Sequence, residues 1–285
     1  MAKTTSAAMI VPEVWGDMAQ AEFLGKVRVG GSSAVVEDNT LEGAPGSEIE
    51  FPKWGSLGDL DELTEATPMT PVAMSTSHAK AVIKEAGKAV EITDKAKLVS
   101  LGDPEAEARR QFGILAARKV DADLITQAQA DETALGGGLP LKFTTAAGKT
   151  KFTWLDAMVP GIAQFGDEWE PDDFAGLFLN SAQYADALAD PQFVDASKLG
   201  NGPSAAVVGS IGRIGGVPVF LTNRVAAKTF LLMKRGALGL LYKRRPLVED
   251  DRDILARSTV VTTTLHYAVK RLSDRGVCVG TLAAT

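Results

Sequence analysis

His78 and His266 are the only histidines in the chain, and Cys278 is its only cysteine. Neither histidine sits in an H-E-x-x-H motif, and one cysteine cannot supply a Cys-rich zinc site. His266 lies between Leu265 and Tyr267 in a β pattern, where it reads as a packed or edge histidine rather than a ligand. Cys278 lies between Val277 and Val279 and reads as buried and inert. No intrachain disulfide can form, which fits folding in a reducing compartment. Gly148-Lys149-Thr150 resembles the end of a phosphate loop, but Phe143 stands where the motif needs its first glycine. Gly209, Gly212 and Gly215 are spaced G-x-x-G-x-x-G, not G-x-G-x-x-G, and no strong helix follows. There is no G-x-S-x-G elbow.

The carboxylates offer two constellations. Asp121 and Asp123 are two apart on a helical pattern, so they point in different directions and read as solvated or ion-paired groups. Glu249, Asp250, Asp251 and Asp253 surround Arg252. That cluster could bind a divalent ion, or it could be a solvated turn between strands. Nowhere do a nucleophile, a base and an oxyanion donor come together in sequence. No catalytic, metal-binding or cofactor-binding residue is assigned. Acids scattered in sequence can still converge in space, so a two-lobed α/β enzyme stays open as an alternative.

The elements that would position these residues form an unusual series. Residues 1–40 read as an arm of short apolar stretches without a sustained period. Residues 39–75 hold glycines, prolines and acids around one strand-like piece, where Ile49 and Phe51 alternate with Glu48 and Glu50. Pro52 inside that piece argues for an edge or an isolated ribbon, because proline cannot donate to a sheet ladder. Residues 88–93 alternate again, with Gly87 expected to mark a bend before them. The strongest helix is expected over 104–130. Asp103 suits its N-cap, Pro104 its first turn, and Glu105 and Glu107 the positive end of its dipole. Its length would be about 40 Å. Beyond a glycine link at 136–138, Thr153 can cap a helix to Phe165, and Ser181 can cap one to Leu188. Strands are expected at Phe174–Leu179, Ala205–Val208, Val217–Leu221, Phe230–Met233, Thr259–Leu272 and Val277–Leu282.

With 285 residues, 45% hydrophobic and 23% charged, the chain can bury a sizeable core. Charges interrupt every apolar stretch before the ~18 residues of a membrane span, so no membrane partner is expected. A net charge of -6 argues against sequence-independent nucleic-acid binding through a basic face. The charge is segregated. Between Phe152 and Ser197 lie nine acids and no Lys or Arg, whereas Arg224 to Thr285 carries a net +7. Two faces could neutralise each other within one molecule, or complementary faces could meet on neighbouring copies.

An arm, an acidic ribbon loop, a long helix, an α/β section and a β-rich end, in that order, resemble the major capsid proteins of tailed bacteriophages. That fold is shared with encapsulin compartments and the herpesvirus capsid floor. Ile10-Val11-Pro12-Glu13-Val14-Trp15 resembles the start of the N-terminal arm. Gly46 to Trp54, with Leu63-Thr64-Glu65-Ala66 and Thr70-Pro71, is similar to the extended loop. Gly87 to Asp94 resembles the lead-in to the spine helix. Gly209 to Asn223 resembles the glycine-turned hairpin of the axial domain. Val248 to Asp253 and His266 to Val269 resemble returning strands of the peripheral domain.

The resemblance implies an α+β capsid fold: an arm over 1–38, an extended loop over 39–75, and a peripheral domain over 76–150 with its spine helix. An axial domain over 151–223 and a return through the peripheral domain over 224–285 complete it. It implies a non-enzymatic subunit that forms hexamers and pentamers of an icosahedral head around double-stranded DNA. The implied partners are other copies of the chain, a separate scaffolding protein, a portal and possible decoration proteins; assembly would occur in the host bacterial cytoplasm. An encapsulin-like compartment is the alternative within the same fold. Expected subunit contacts are Ile49, Phe51 and Trp54 on the loop, and Glu168 and Asp172 among the axial acids. Independently of the resemblance, long unpatterned arms and loops lose conformational entropy with little burial in return unless a neighbour provides it.

Overall fold

Three sheets organise the computed structural model, which describes residues 29–39, 48–54, 71–99, 103–130, 140–194, 212–273 and 275–283, with positions 42, 46, 57, 60, 62 and 69. The first sheet has four strands in the order β1 (Val35–Asp38), β10 (Leu238–Asp253), β11 (Ser258–Arg271) and β4 (Lys84–Thr93). β1 runs parallel to β10, and the other pairs are antiparallel. The second is a two-stranded antiparallel ribbon of β2 (Glu48–Trp54) and β3 (Thr76–Val82). The third has six strands: β5 (Leu141–Thr144), β12 (Val277–Thr281), β9 (Thr229–Lys234), β6 (Phe174–Leu179), β8 (Val217–Leu221) and β7 (Arg213–Ile214).

The helices are α1 (Asp94–Val99), α2 (Pro104–Gln129), α3 (Val159–Phe165), α4 (Ser181–Ala189) and α5 (Pro191–Val194), with a π turn over Trp154–Met158 leading into α3. α2 is the long helix expected from the sequence. Asp103 caps it as anticipated: its Oδ1 accepts from the backbone N–H groups of Glu105, at 3.0 Å, and Ala106, at 3.3 Å. Asp103→Ala should therefore lower subunit stability by about 1 kcal/mol, read as a shift in the urea midpoint at constant slope.

Two cores share the six-stranded sheet, one on each face. On one face Ala175, Phe178, Leu231, Met233 and Val279 join Val120, Leu124 and Ala128 of α2, and Leu240, Tyr242, Leu265 and Tyr267 of the four-stranded sheet. On the other face Phe174, Leu177, Phe230, Leu232 and Cys278 meet Phe152, Met158 and Phe165 around α3. A strand with apolar neighbours on both sides has no reason to alternate, which is why 174–179 reads as an unbroken apolar run. All six of its residues are buried.

Several local expectations change. The N-cap of α4 is Asn180, not Ser181. The Asn180 side chain accepts from the N–H of Ala182, while the Gln183 Oε1 accepts from the N–H of Asn180. This reciprocal box outcompetes a lone serine one position later. Gly87 is not a bend before a strand; it lies within β4, opposite Thr264. A Cβ there would sit 2.8 Å from the Thr263 carbonyl oxygen, so close strand approach is what requires glycine. The hairpin between β7 and β8 turns on Gly215 and Gly216, with φ of 56° and 85°. Two successive positive φ values define the tight turn that follows strand twist. The ribbon's return strand, β3, falls beyond residue 75. β5, β9 and β12 join β6, β7 and β8 in the six-stranded sheet. The expected strand at Ala205–Val208 and the arm motif at 10–15 lie outside the described residues.

Candidate functional site

Among the described residues, those singled out for chemistry do not converge. Among the described residues, no group of three or more His, Cys, Asp or Glu side chains could hold a metal ion. Cys278 is fully buried, and burial pushes its thiol up to about 12, far from a reactive thiolate. His78 stands on the ribbon opposite Pro52. His266 lies in β11, its Nε2 3.6 Å from Glu85 Oε1 at the neighbouring position of β4.

The acidic cluster is the end of β10, just before the turn into β11. Asp250 lies 3.5 Å from the buried guanidinium of Arg109, which reaches across from α2. Asp253 Oδ1 accepts from the N–H groups of Leu255 and Ala256 and so forms the turn into β11. Arg252 pairs with Asp94 at 3.2 Å. Arg252 and Asp250 thus hold the tip of the four-stranded sheet to α1 and α2. Arg109 went unread in the sequence; its i,i+4 spacing from Glu105, 3.9 Å away, was the available signal.

Asp121 and Asp123 do diverge, but both are buried. Asp121 Oδ1 accepts from the backbone N–H groups of Val29 and Gly30, each at 3.3 Å, and so ties the segment before β1 to the middle of α2. Asp123 accepts from the Tyr267 hydroxyl at 2.6 Å and from Lys119 Nζ at 2.9 Å, with Lys84 Nζ 3.6 Å away. Burial alone would raise its pKa; the Tyr267 and Lys119 hydrogen bonds and the lysine charges outweigh burial and hold it below the ordinary carboxylate value. Burial and the facing carboxylate push the Tyr267 hydroxyl upward, so it stays a donor. This centre joins α2, β4 and β11. Tyr267→Phe should cost about 1–3 kcal/mol at neutral pH by leaving a buried carboxylate short of a donor. Because the folded-state pKa is depressed, that stabilisation is complete above the unfolded value of about 3.9 and fades as pH falls through the folded value. Urea melts of both proteins should therefore differ most at pH 7 and converge in acid; a gap independent of pH would contradict this role.

The expected contact residues fall in two places. Ile49, Phe51 and Trp54 lie on β2, in register with Ala81, Ala79 and Thr76 of β3. Glu168 and Asp172 lie in two short 3-10 turns between α3 and β6. Glu168 is engaged within its own chain, 3.2 Å from Lys234 Nζ and 3.3 Å from Arg275 Nε. Lys234 also sits over the rings of Phe165 and Phe174, at 5.4 and 5.9 Å from their centroids, which fixes the acidic turn against β9. Asp172 is exposed. For Glu168, then, the acidic and basic parts of the sequence meet inside one molecule.

The scaffold thus carries buried polar ties and, among the described residues, exposed apolar and acidic side chains. The family model described as "Phage capsid protein" matches residues 78–280. The chain belongs to the phage capsid protein family. The capsid protein is 32% identical over 267 residues to the major capsid protein of Staphylococcus phage phiMR11, covering 93% of this chain and 90% of that one. Its fold is similar to the capsid of cyanophage Pam1, with a TM-score of 0.69 at 16% identity, covering 100% of this chain and 96% of that one. It is equally similar to the mature capsid of bacteriophage PhiM1, with a TM-score of 0.69 at 14% identity over 91% of this chain and 88% of that one. The capsid protein is therefore a structural subunit that associates with its own copies into a virion shell, and its relatives are structural proteins, not enzymes. Among the described residues, no helix is long and apolar enough to cross a membrane.

Proposed function

We propose that the capsid protein forms hexamers and pentamers that close into an icosahedral head around double-stranded DNA. A separate scaffolding protein and a portal take part, and assembly occurs in the host bacterial cytoplasm. The observation that carries this reading is the ribbon. A two-stranded ribbon is marginal in water by itself, and β2 and β3 pair in a sheet of their own, apart from the two larger sheets. The connection between its strands and the strand beyond it expose large apolar side chains: Met69, Val72, Met74 and Val82 are 72, 64, 63 and 61% exposed. A neighbouring subunit would bury this surface, with Ile49, Phe51 and Trp54 at the contact. Asp172 is assigned to a second contact, between axial segments, alongside the internally paired Glu168.

Negative-stain microscopy of the purified protein over a range of concentrations tests the shell, and nuclease protection in particles from infected cells tests the DNA. Closed shells with protected DNA are the expected outcome. A protein that stays monomeric at high concentration, or particles that protect no DNA, would overturn the corresponding part.

A further inference from the structure

A cavity of about 540 Å³ opens between α2 and the chain leaving β8. Arg118 and Asp121 line it from the helix, and Thr222, Asn223 and Arg224 line it from the other side. Its acceptors are largely occupied. Asp121 Oδ1 takes the N–H groups of Val29 and Gly30, Asn223 Oδ1 takes that of Ser181, and Thr222 Oγ1 takes that of Arg224. The unused capacity is almost entirely that of donors: the Asn223 amide nitrogen, the Thr222 hydroxyl hydrogen and two guanidinium groups. Neither the Arg118 nor the Arg224 side chain has a partner among the described residues. Planar forks of N–H donors around a cavity match a carboxylate in both charge and geometry.

We infer that this cavity receives a carboxylate side chain from the 167–172 segment of a neighbouring copy of the chain. The inference rests on the shell-forming reading above. Asp167, Glu170 and Asp172 are exposed. Their side chains have no partner among the described residues, whereas Glu168 is answered by Lys234 and Arg275. Other acids in the same basic-free stretch are also used internally: Asp156 by Lys149, and Asp186 and Asp190 by backbone N–H groups of Phe152 and Trp154. Each copy thus presents a surplus of carboxylates in one place and two unanswered guanidiniums in another, and closed assemblies bring copies together many times over. A phosphate would also suit the guanidiniums. The net charge of -6 and the Asp121 carboxylate in the cavity wall favour a single carboxylate over a polyanion.

Arginine footprinting with phenylglyoxal, read by mass spectrometry, decides the matter in three samples: free subunits, nucleic-acid-free shells and DNA-filled particles. Arg118 and Arg224 should react in free subunits and react about fivefold more slowly, or slower still, in empty shells. Shells of the Asp167→Asn, Glu170→Gln, Asp172→Asn variant should lose that protection. Should the variant not assemble, Arg118→Gln with Arg224→Gln should fail in the same way while its subunits unfold at the wild-type temperature. Equal reactivity in subunits and empty shells overturns the inference but leaves the shell reading intact. So does protection confined to DNA-filled particles, which would make phosphate the occupant. Protection that persists in the acid-free variant also overturns it, as does normal assembly of the double glutamine variant where the acid-free variant fails. If no shells form at all, both readings fall together.

Discussion

Excising residues 40–70 and closing the gap with a short flexible linker should leave a folded subunit that forms no closed shells. The excision removes β2 entirely, but β2 pairs with β3 in a sheet of its own and with neither larger sheet. The four-stranded sheet keeps every one of its pairings, since β4 is held by β11 and β1 by β10. The body's thermal transition should therefore stay cooperative and shift by only a few degrees, as loss of roughly 1 kcal/mol would produce. Assembly should respond very differently, because the excision takes away the ribbon's first strand together with the exposed Leu57, Leu60 and Met69. Sedimentation velocity should show only small species at concentrations where the intact protein makes shells. A non-cooperative melt would mean that the ribbon is part of the body, and shells of normal size would mean that it is not a contact.

The largest stability effects should come from Gly280 and Phe230. Gly280 stands in β12 directly opposite Phe230 of β9 on one side and Phe143 of β5 on the other. The Phe230 ring lies over the glycine, so a Cβ at 280 would come within 2.1 Å of its Cζ. That ring has nowhere to go: its centroid is 5.6 Å from that of Phe143 and 5.0 Å from that of Phe152, both edge-on. Gly280→Ala should cost about 3 kcal/mol, the upper end for overpacking, because the neighbour that must yield is a ring locked by two others. Phe230→Ala should cost about 3–5 kcal/mol by opening a cavity in the same place. Combined, the two changes should cost clearly less than their sum, since the new methyl enters the vacated space; a coupling of about 1–3 kcal/mol is expected. Urea titration of the four proteins closes the cycle. Strict additivity, or a Gly280→Ala cost within about 0.5 kcal/mol of zero, would show that the ring can move.

The elements governed by local chemistry could be read from the sequence. Asp103, Pro104 and the acids after them define the start of α2 without reference to anything distant. The apolar run at 174–179 and the proline-bearing alternation at 48–54 likewise carry their own signatures. What the sequence did not reveal depends on partners far away along the chain. Asp121 looks like any surface acid until the backbone of residues 29 and 30 arrives beside it. Glu168 looks free until Lys234 and Arg275 close on it. Asn180 prevails over Ser181 because Gln183 reaches back to it, a three-residue spacing that was legible but outweighed by the serine. The proposed contact surfaces are legible only as anomalies. An apolar residue in a loop signals a neighbour but does not say which one.

The pairing of early strands with late ones governs when the protein can exist at all. β1 pairs with β10, β4 with β11 and β5 with β12. In both larger sheets an early strand waits for a late one, and Leu141 finds its partner only at Cys278. A ribosome that has translated the first two hundred residues has made α2 but cannot have closed either large sheet. Such long-range closure is slow, because the chain must be ordered over great sequence distances before contacts repay the cost. The ribbon is the exception: β2 and β3 are close in sequence and can pair early. Synthesis thus acts as a timer. The body that would present a binding face to another subunit can close only once β12 has been made, so copies still lacking that strand would be kept out of a growing shell by topology alone.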